Sequence, residues 1–174
     1  KGMKKVIWVL CVVCLFTFVK NASATPPDLT ILGTFQSWTA YSFQETDGKV
    51  CYMAAEPAKS AGKYTYRGDV FLSVTHRPND KSYDVVSIQA GFDYKKGVKP
   101  TLRVDNHKTV TLEAVKDMAW VKDAANDKKL VQDMIKGSEA IAYGQSRRGT
   151  KITDTFSLKG FTKAYEAINE ACGM

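Results

Sequence analysis

Apolar and polar residues alternate along three stretches of the chain, and this period of two predicts β-strands. Each stretch places apolar residues on one face and mostly polar residues on the other, which is typical of antiparallel sheets covered on one side. We therefore expect a second sheet to cover the apolar faces. These faces are formed by Val70, Leu72 and Val74, by Val86, Ile88, Ala90 and Phe92, and by Val110, Leu112 and Ala114. Turn-forming pairs separate the segments at Asp47-Gly48, Asn79-Asp80, Lys96-Gly97 and Asp105-Asn106.

Two stretches follow a helical period instead, at about residues 126–136 and 161–172. The apolar stripe of the first is Leu130, Val131, Met134 and Ile135, and Gly137 follows as a stop signal. The stripe of the second is Phe161, Ala164, Tyr165, Ile168 and Cys172. The chain is therefore predicted to be mostly β, an antiparallel β-sandwich with two short helices.

The first 24 residues have the pattern of a secretory signal peptide. The basic pair Lys4-Lys5 precedes a mostly apolar run at 6–19, and Ala22-Ser23-Ala24 forms an A-x-A cleavage motif. This run is shorter than the about 20 apolar residues that a membrane-spanning helix needs, which argues against the alternative of an uncleaved anchor. We predict cleavage after Ala24, which leaves one domain, residues 25–174, and no membrane anchor.

The net charge of the 174-residue chain is +7. Four of its 25 basic residues and none of its acids lie in residues 1–24, so 21 basic and 18 acidic residues, a net charge of +3, remain. Along the sequence the lysine pairs Lys95-Lys96 and Lys128-Lys129 are scattered among acids, whereas nucleic-acid-binding proteins usually concentrate basic residues in a stripe. The charge pattern therefore predicts no nucleic-acid partner.

Two of the four cysteines, Cys11 and Cys14, lie in the predicted signal peptide and are removed with it. Cys51 and Cys172 remain, and an exported chain meets an oxidising compartment in which such a pair forms a disulfide. The alternative is two free, buried thiols. A zinc site is a poor fit, because the chain offers neither further cysteines nor a histidine pair at ligand spacing.

The segment SRRGTKITDTFSLKGF, Ser146–Phe161, joins a glycine-containing turn to an alternating run. Asp154 falls on the apolar face of this run, and a buried carboxylate is costly unless it is paired and hydrogen-bonded. We predict that an arginine forms a structural ion pair with it. The candidate partners are Arg147 and Arg148 in the preceding turn, or Arg67 or Arg77 from a neighbouring strand. The alternative is that these arginines bind a phosphate, sulfate or carboxylate ligand.

No motif in the chain indicates catalysis. There is no G-x-S-x-G elbow, no H-E-x-x-H pair and no phosphate-binding glycine loop. His76 continues the apolar face of its strand, and His107 lies in a charged turn. We predict a non-enzymatic protein with no cofactor and no metal. The alternative hypothesis is a small-anion sensor or an enzyme, with His76, Arg77, Arg147 and Arg148 as the candidate ligand-binding group.

Six stretches resemble the invasion-associated locus B family, in that family's order and spacing. They are WTAY (Trp38–Tyr41), KVCYMAAEP (Lys49–Pro57), RGDVFLSVTHRP (Arg67–Pro78), AW (Ala119-Trp120), SRRGTKITDTFSLKGF (Ser146–Phe161) and AYEAINEAC (Ala164–Cys172). The resemblance implies an exported alphaproteobacterial protein with an immunoglobulin-like β-sandwich fold. The family is named after proteins linked to bacterial invasion of host red cells, and it supplies no catalytic residues to transfer.

The residues and the resemblance together predict an exported protein that acts by binding. We expect it in the periplasm or secreted to the medium. The expected partner is an unidentified protein or envelope component, or the surface of a host cell. A purely structural envelope component without a soluble partner is the remaining alternative.

Overall fold

The computed structural model describes residues 28–174, so the predicted signal peptide, its cleavage site, Cys11 and Cys14 lie outside the described residues. Within this range the chain forms eleven β-strands, two α-helices and one 3-10 turn. The strands are β1 Thr30–Phe35, β2 Trp38–Glu45, β3 Gly48–Ala55, β4 Lys59–Ala61, β5 Phe71–Arg77, β6 Ser82–Gln89, β7 Thr101–Val104, β8 Val110–Val115, β9 Met118–Val121, β10 Glu139–Gln145 and β11 Lys151–Ser157. The helices are α1 Ala124–Lys136 and α2 Phe161–Cys172, and the 3-10 turn is Pro78–Asp80.

All the strand pairings among these residues are antiparallel, in the order β1-β2-β3-β5-β6-β9-β8-β7-β10-β11-β4. The strands near opposite ends of this order face each other. The contact is shown by Trp38 on β2, whose indole N–H donates a hydrogen bond of 2.9 Å to the carbonyl oxygen of Ser157 on β11. The sheet therefore folds over and covers its own apolar face. The prediction of a mostly β, sandwich-like fold with two helices is confirmed.

Most of the apolar residues predicted from alternation line one continuous core, whereas Ala90 and Phe92 lie beyond the end of β6 and outside this cluster. Leu72 and Val74 on β5 are fully buried, and Val86 and Ile88 on the neighbouring β6 are buried beside them. Side chains from the other end of the strand order, such as Phe156 on β11, belong to the same cluster. Burial of these apolar side chains is the main term that stabilises the fold.

Helix α1 begins two residues before the predicted boundary, because the Asp123 side chain caps it by accepting a hydrogen bond of 3.0 Å from the backbone N–H of Asn126. Helix α2 has the predicted bounds. Gly160 precedes its first residue as the N-cap, and its φ of +89° and close approach to the Phe35 carbonyl leave no room for a side chain.

Helix α2 packs on β1, β2, β3 and β5, and a disulfide fixes its last residue to the sheet. Cys172 bonds to Cys51 on β3, and their Cα atoms are 6.1 Å apart. The helix also contributes Phe161, whose ring centroid lies 4.9 Å from that of the buried Trp38, with the two ring planes at 85°. The disulfide expected from the sequence is thus present in the structure, and the alternative of two free thiols does not hold.

Helix α1 carries a buried carboxylate under the sheet. Asp127 is 5% exposed and accepts a hydrogen bond of 2.9 Å from the backbone N–H of Val86 on β6. Burial raises the pKa of Asp127 to about 6, and the negative charges of Asp123 and Asp84 contribute to the rise.

Replacing Asp127 with asparagine is expected to stabilise the protein at neutral pH by about 1–3 kcal/mol. Above pH 6 the folded protein holds a buried charge that the unfolded chain leaves in water, so the carboxylate destabilises the fold. As the pH falls from about 6 to about 4, the folded state takes up a proton first and this cost disappears. Chemical denaturation of both proteins across this range measures the difference. A difference that stays constant with pH would contradict the assignment.

Candidate functional site

The Asp154 carboxylate on β11 points into the molecule, as the alternation predicted, and its partner is Arg67. The Nη1 and Nη2 groups of Arg67 donate hydrogen bonds of 2.7 and 2.6 Å to the two carboxylate oxygens. Ser60 on β4 adds a hydroxyl hydrogen bond of 2.7 Å. The side chains of Arg67 and Asp154 are each 6% exposed. This bidentate contact compensates the burial of both charges.

The assignment of this ion pair to Arg147 or Arg148 was wrong, and Arg67 is the one of the four candidates that makes it. Arg147 and Arg148 lie in the turn between β10 and β11, beyond the strand end, and both are exposed. Arg147 is 78% exposed and lies 3.4 Å from the carboxylate of Asp93. Asp154 lies three residues after the first residue of β11, about 10 Å along the strand from the turn. The turn arginines therefore do not contact its carboxylate.

Arg67 is held in place by contacts on every side. Its Nε donates a hydrogen bond of 2.7 Å to the Ala90 carbonyl oxygen. Its guanidinium lies 5.0 Å from the ring centroid of Phe92 and 5.6 Å from that of Tyr64, at cation–π distance. Burial and the nearby charge of Asp154 raise the pKa of Tyr94 above its usual range, so this phenol stays neutral.

A cleft of about 820 Å³ opens above Arg67, between the loop at residues 62–68 and the turn at residues 146–150. We call it the basic cleft. Its walls carry two exposed tyrosines, three exposed cations and one carboxylate. These residues are Tyr64, Tyr66, Lys63, Arg147, Arg148 and Asp93. Tyr66 is 87% exposed and Tyr64 is 41% exposed, so both phenol rings are open to contact with another molecule.

The turn that carries the two arginines is fixed by its own hydrogen bonds. The Ser146 carbonyl accepts from the Gly149 N–H at 2.7 Å, and the Ser146 N–H donates to the Thr150 carbonyl at 2.9 Å. The Gln145 side chain donates to the Gly149 carbonyl at 2.8 Å. Gly149 has φ +90°, a conformation that favours glycine. The guanidinium groups therefore project from a rigid base, which lowers the entropy cost of binding a ligand.

The histidine of the predicted ligand-binding group is a core residue. His76 is fully buried; its Nδ1 accepts a hydrogen bond of 3.0 Å from the Asp84 N–H, and its Nε2 donates to Asn169 Oδ1 at 2.9 Å. A ring nitrogen that accepts cannot carry a proton, so the imidazole is neutral, and burial lowers its pKa. The hydroxyl of Tyr165 donates to the same aspartate, at 2.6 Å from Oδ1.

The structure does not bring His76 and Arg77 together with Arg148, so the grouping of these three as one ligand site was wrong. Gly68 follows the loop that lines the basic cleft, and its backbone N–H donates a hydrogen bond to the Gly91 carbonyl oxygen. Strand β5 begins three residues later. Arg77 lies at the far end of β5, roughly 20 Å away along the strand. There it forms an ion pair with Glu45.

Sequence reasoning missed the loop that forms one wall of the cleft. The stretch GKYTYRG, residues 62–68, contains two tyrosines and an arginine between two glycines, and tyrosine and arginine are enriched at protein interfaces. It also missed Ser60, whose role depends on the pairing of β4 with β11.

Residues 28–174 hold no group of three histidine, cysteine or acidic side chains arranged to bind a metal ion. Within the same range, no helix combines the length and the hydropathy needed to cross a membrane.

Comparison with protein families gives one match. The model of a family described as invasion associated locus B (IalB) protein matches residues 38–169, which is 132 of the 174 residues. The match includes the core strands, Asp154, Arg67 and the whole basic cleft, and it ends three residues before Cys172. No curated protein matches the chain, and no solved structure matches it.

Proposed function

The chain belongs to the invasion associated locus B family, and on this premise we propose that it is an exported, non-enzymatic binding protein whose contact site is the basic cleft. Export is supported by the Cys51–Cys172 disulfide, since such bonds persist in oxidising compartments. The signal-peptide pattern at residues 1–24 points to the same compartments, the periplasm or the medium.

The exposed side chains of the cleft carry the proposal. Tyrosine and arginine are enriched at sites where proteins bind partners, because each combines apolar area with hydrogen-bonding groups. Tyr64 and Tyr66 face Arg147 and Arg148 across the opening, above a floor fixed by Arg67. A rigid floor below adaptable, exposed groups is the arrangement expected of a binding site.

The chemistry of the cleft favours binding over catalysis. Its lining residues, all in the described part of the chain, include no histidine, cysteine or glutamate. General acid–base catalysis most often uses histidine, and the aspartate, lysine and tyrosines of this cleft, which could also transfer protons, are all exposed. The excess of cations instead selects an anionic partner. We therefore place the anion-binding site of the alternative hypothesis in the cleft, and no longer at His76 and Arg77.

The partner we propose is an anionic component of the bacterial envelope or of a host-cell surface. The family name supports contact with host cells, and the charge of the cleft supports the anionic character. Two arginine forks side by side can each bind a carboxylate, sulfate or phosphate through two hydrogen bonds.

Reversing the charge of both turn arginines, with Arg147→Glu and Arg148→Glu, is expected to reduce capture of the partner by about tenfold or more. The introduced carboxylates would repel an anionic partner that the arginines attract. Immobilised full-length protein would be exposed to envelope extracts and to host-cell membranes, and the bound material quantified. The matched control is Lys128→Glu with Lys163→Glu, which changes the charge equally on exposed helix positions outside the cleft. Equal capture by the wild type and the arginine variant would refute the cleft as the contact site.

A further inference from the structure

The basic cleft continues on both sides of the turn at residues 146–151. A second depression of about 710 Å³ shares Asp93 and Arg147 with it. A third, of about 480 Å³, shares Lys63, Arg148 and Thr150 with it. The three depressions adjoin one another at these shared residues, and we call them together the basic groove.

Cations dominate the whole groove. The exposed basic residues added by the second and third depressions are Lys95, Lys96, Lys99, Lys116 and Lys151. With the three of the basic cleft they make eight exposed cations, against two lining carboxylates, those of Asp93 and Glu113. The net charge of the groove is thus +6, while residues 25–174 as a whole carry +3. The rest of this region is therefore net acidic, and basic residues that are scattered in sequence converge at one end of the fold.

Most of these cations are unpaired. The two carboxylates neutralise one cation each, through Arg147–Asp93 and Lys99–Glu113. The other six basic residues have no acidic partner within 4.0 Å among residues 28–174. Repulsion among like charges of this number is unfavourable, and a ligand that carries several negative charges would relieve it.

The loop that joins the first two depressions is fixed to the sheet. The Arg147 N–H donates to the Asp93 carbonyl at 2.7 Å, and the Lys95 N–H donates to the Gln145 carbonyl at 2.9 Å. On its other side the Tyr94 N–H donates to the Lys116 carbonyl at 2.8 Å. These backbone contacts hold the cations of the two depressions in a fixed succession.

We propose that the basic groove binds a linear anionic polysaccharide, with successive carboxylate or sulfate groups along the cations and sugar rings against Tyr64 and Tyr66. This inference rests on the proposed function and names its ligand class. A single small anion would leave most of the cations unpaired, whereas a polymer with repeated negative charges can pair with successive cations along the groove. Tyrosine faces suit the apolar faces of pyranose rings, since both combine an apolar surface with hydroxyl groups.

The distribution of aromatic residues favours a polysaccharide over a single-stranded nucleic acid. Proteins that bind single strands stack successive bases on aromatic side chains along the groove. Among the residues that line the groove, the exposed tyrosines lie only in the basic cleft. The third depression has no aromatic lining, and the second has only the half-buried Tyr94.

The test measures binding of sulfated, uronate-containing oligosaccharides of increasing length to the full-length protein. Affinity for an octasaccharide is expected to exceed that for a disaccharide by about tenfold or more, because the longer chain occupies linked subsites. Lys95→Glu with Lys96→Glu is expected to weaken octasaccharide binding by about tenfold and to leave disaccharide binding nearly unchanged. The control is again Lys128→Glu with Lys163→Glu, and circular dichroism checks the fold of each variant.

Several outcomes would overturn this inference. Equal affinity for disaccharide and octasaccharide would mean that the groove binds a single anionic group and not a polymer. The proposed function would still stand in that case if capture depends on Arg147 and Arg148. Tighter binding of oligothymidylate, or of anionic phospholipid vesicles, at the same ionic strength would replace the polysaccharide with that class of partner. Equal capture of envelope or host-cell material by the wild type and the Arg147→Glu, Arg148→Glu variant would instead refute the proposed function.

Discussion

Replacing Arg67 with alanine is expected to lower the free energy of unfolding by about 3–5 kcal/mol, the usual cost of leaving one member of a buried ion pair without its partner. Asp154 would keep only the hydrogen bond from Ser60 and would lie charged in a site that is almost closed to water. The same change removes the hydrogen bond to Ala90 and the contacts with Phe92 and Tyr64. Urea or guanidinium denaturation measures the loss.

Two further variants separate a buried ion pair from a general loss of packing. Arg147→Ala removes an exposed arginine and is expected to change stability by no more than about 0.5 kcal/mol. Arg67→Met combined with Asp154→Leu removes both charges and is expected to recover much of the stability lost in Arg67→Ala. If Arg67→Ala and Arg147→Ala have equal effects, the buried pair is not a structural element.

Replacing Cys172 with serine is expected to lower the free energy of unfolding by about 2–5 kcal/mol. The disulfide joins residues separated by 121 positions, so it restricts the unfolded chain strongly. It also fixes the end of α2, whose other anchors include the hydrogen bond between Asn169 and the buried His76. Denaturation with and without reductant measures the effect.

Wild-type protein under reducing conditions should lose the same stability as Cys172→Ser, while the variant itself should not respond to reductant. Cys51→Ser removes the same bond and is expected to lose at least as much stability, because Cys51 is fully buried and its replacement buries a hydroxyl group. Mass spectrometry after alkylation of unreduced, folded protein provides a direct check. Two alkylated thiols at Cys51 and Cys172 would contradict both the disulfide and the argument for an oxidising compartment.

The sequence determined the local features of this protein. A period of two placed Leu72, Val74 and Asp154 on inward faces, and a period of 3.6 gave both helices, because side-chain direction follows directly from backbone geometry. The start of α1 was misplaced by two residues because the capping role of Asp123 was not recognised. The disulfide could be predicted since only two cysteines lie outside the predicted signal peptide, so there is only one way to pair them.

Only the tertiary structure decided which distant residues meet. Alternation shows that Asp154 points inward, but its partner Arg67 is 87 positions away. The pairing of β4 with β11 places Ser60 beside Asp154, and the loop that follows β4 brings Arg67 to the same carboxylate. The strand order separates Arg77 from Arg148 and gathers the scattered lysines into one groove. Periodicity is a property of a few neighbouring residues, whereas strand pairing and loop packing depend on the whole chain, and these long-range contacts form the candidate site.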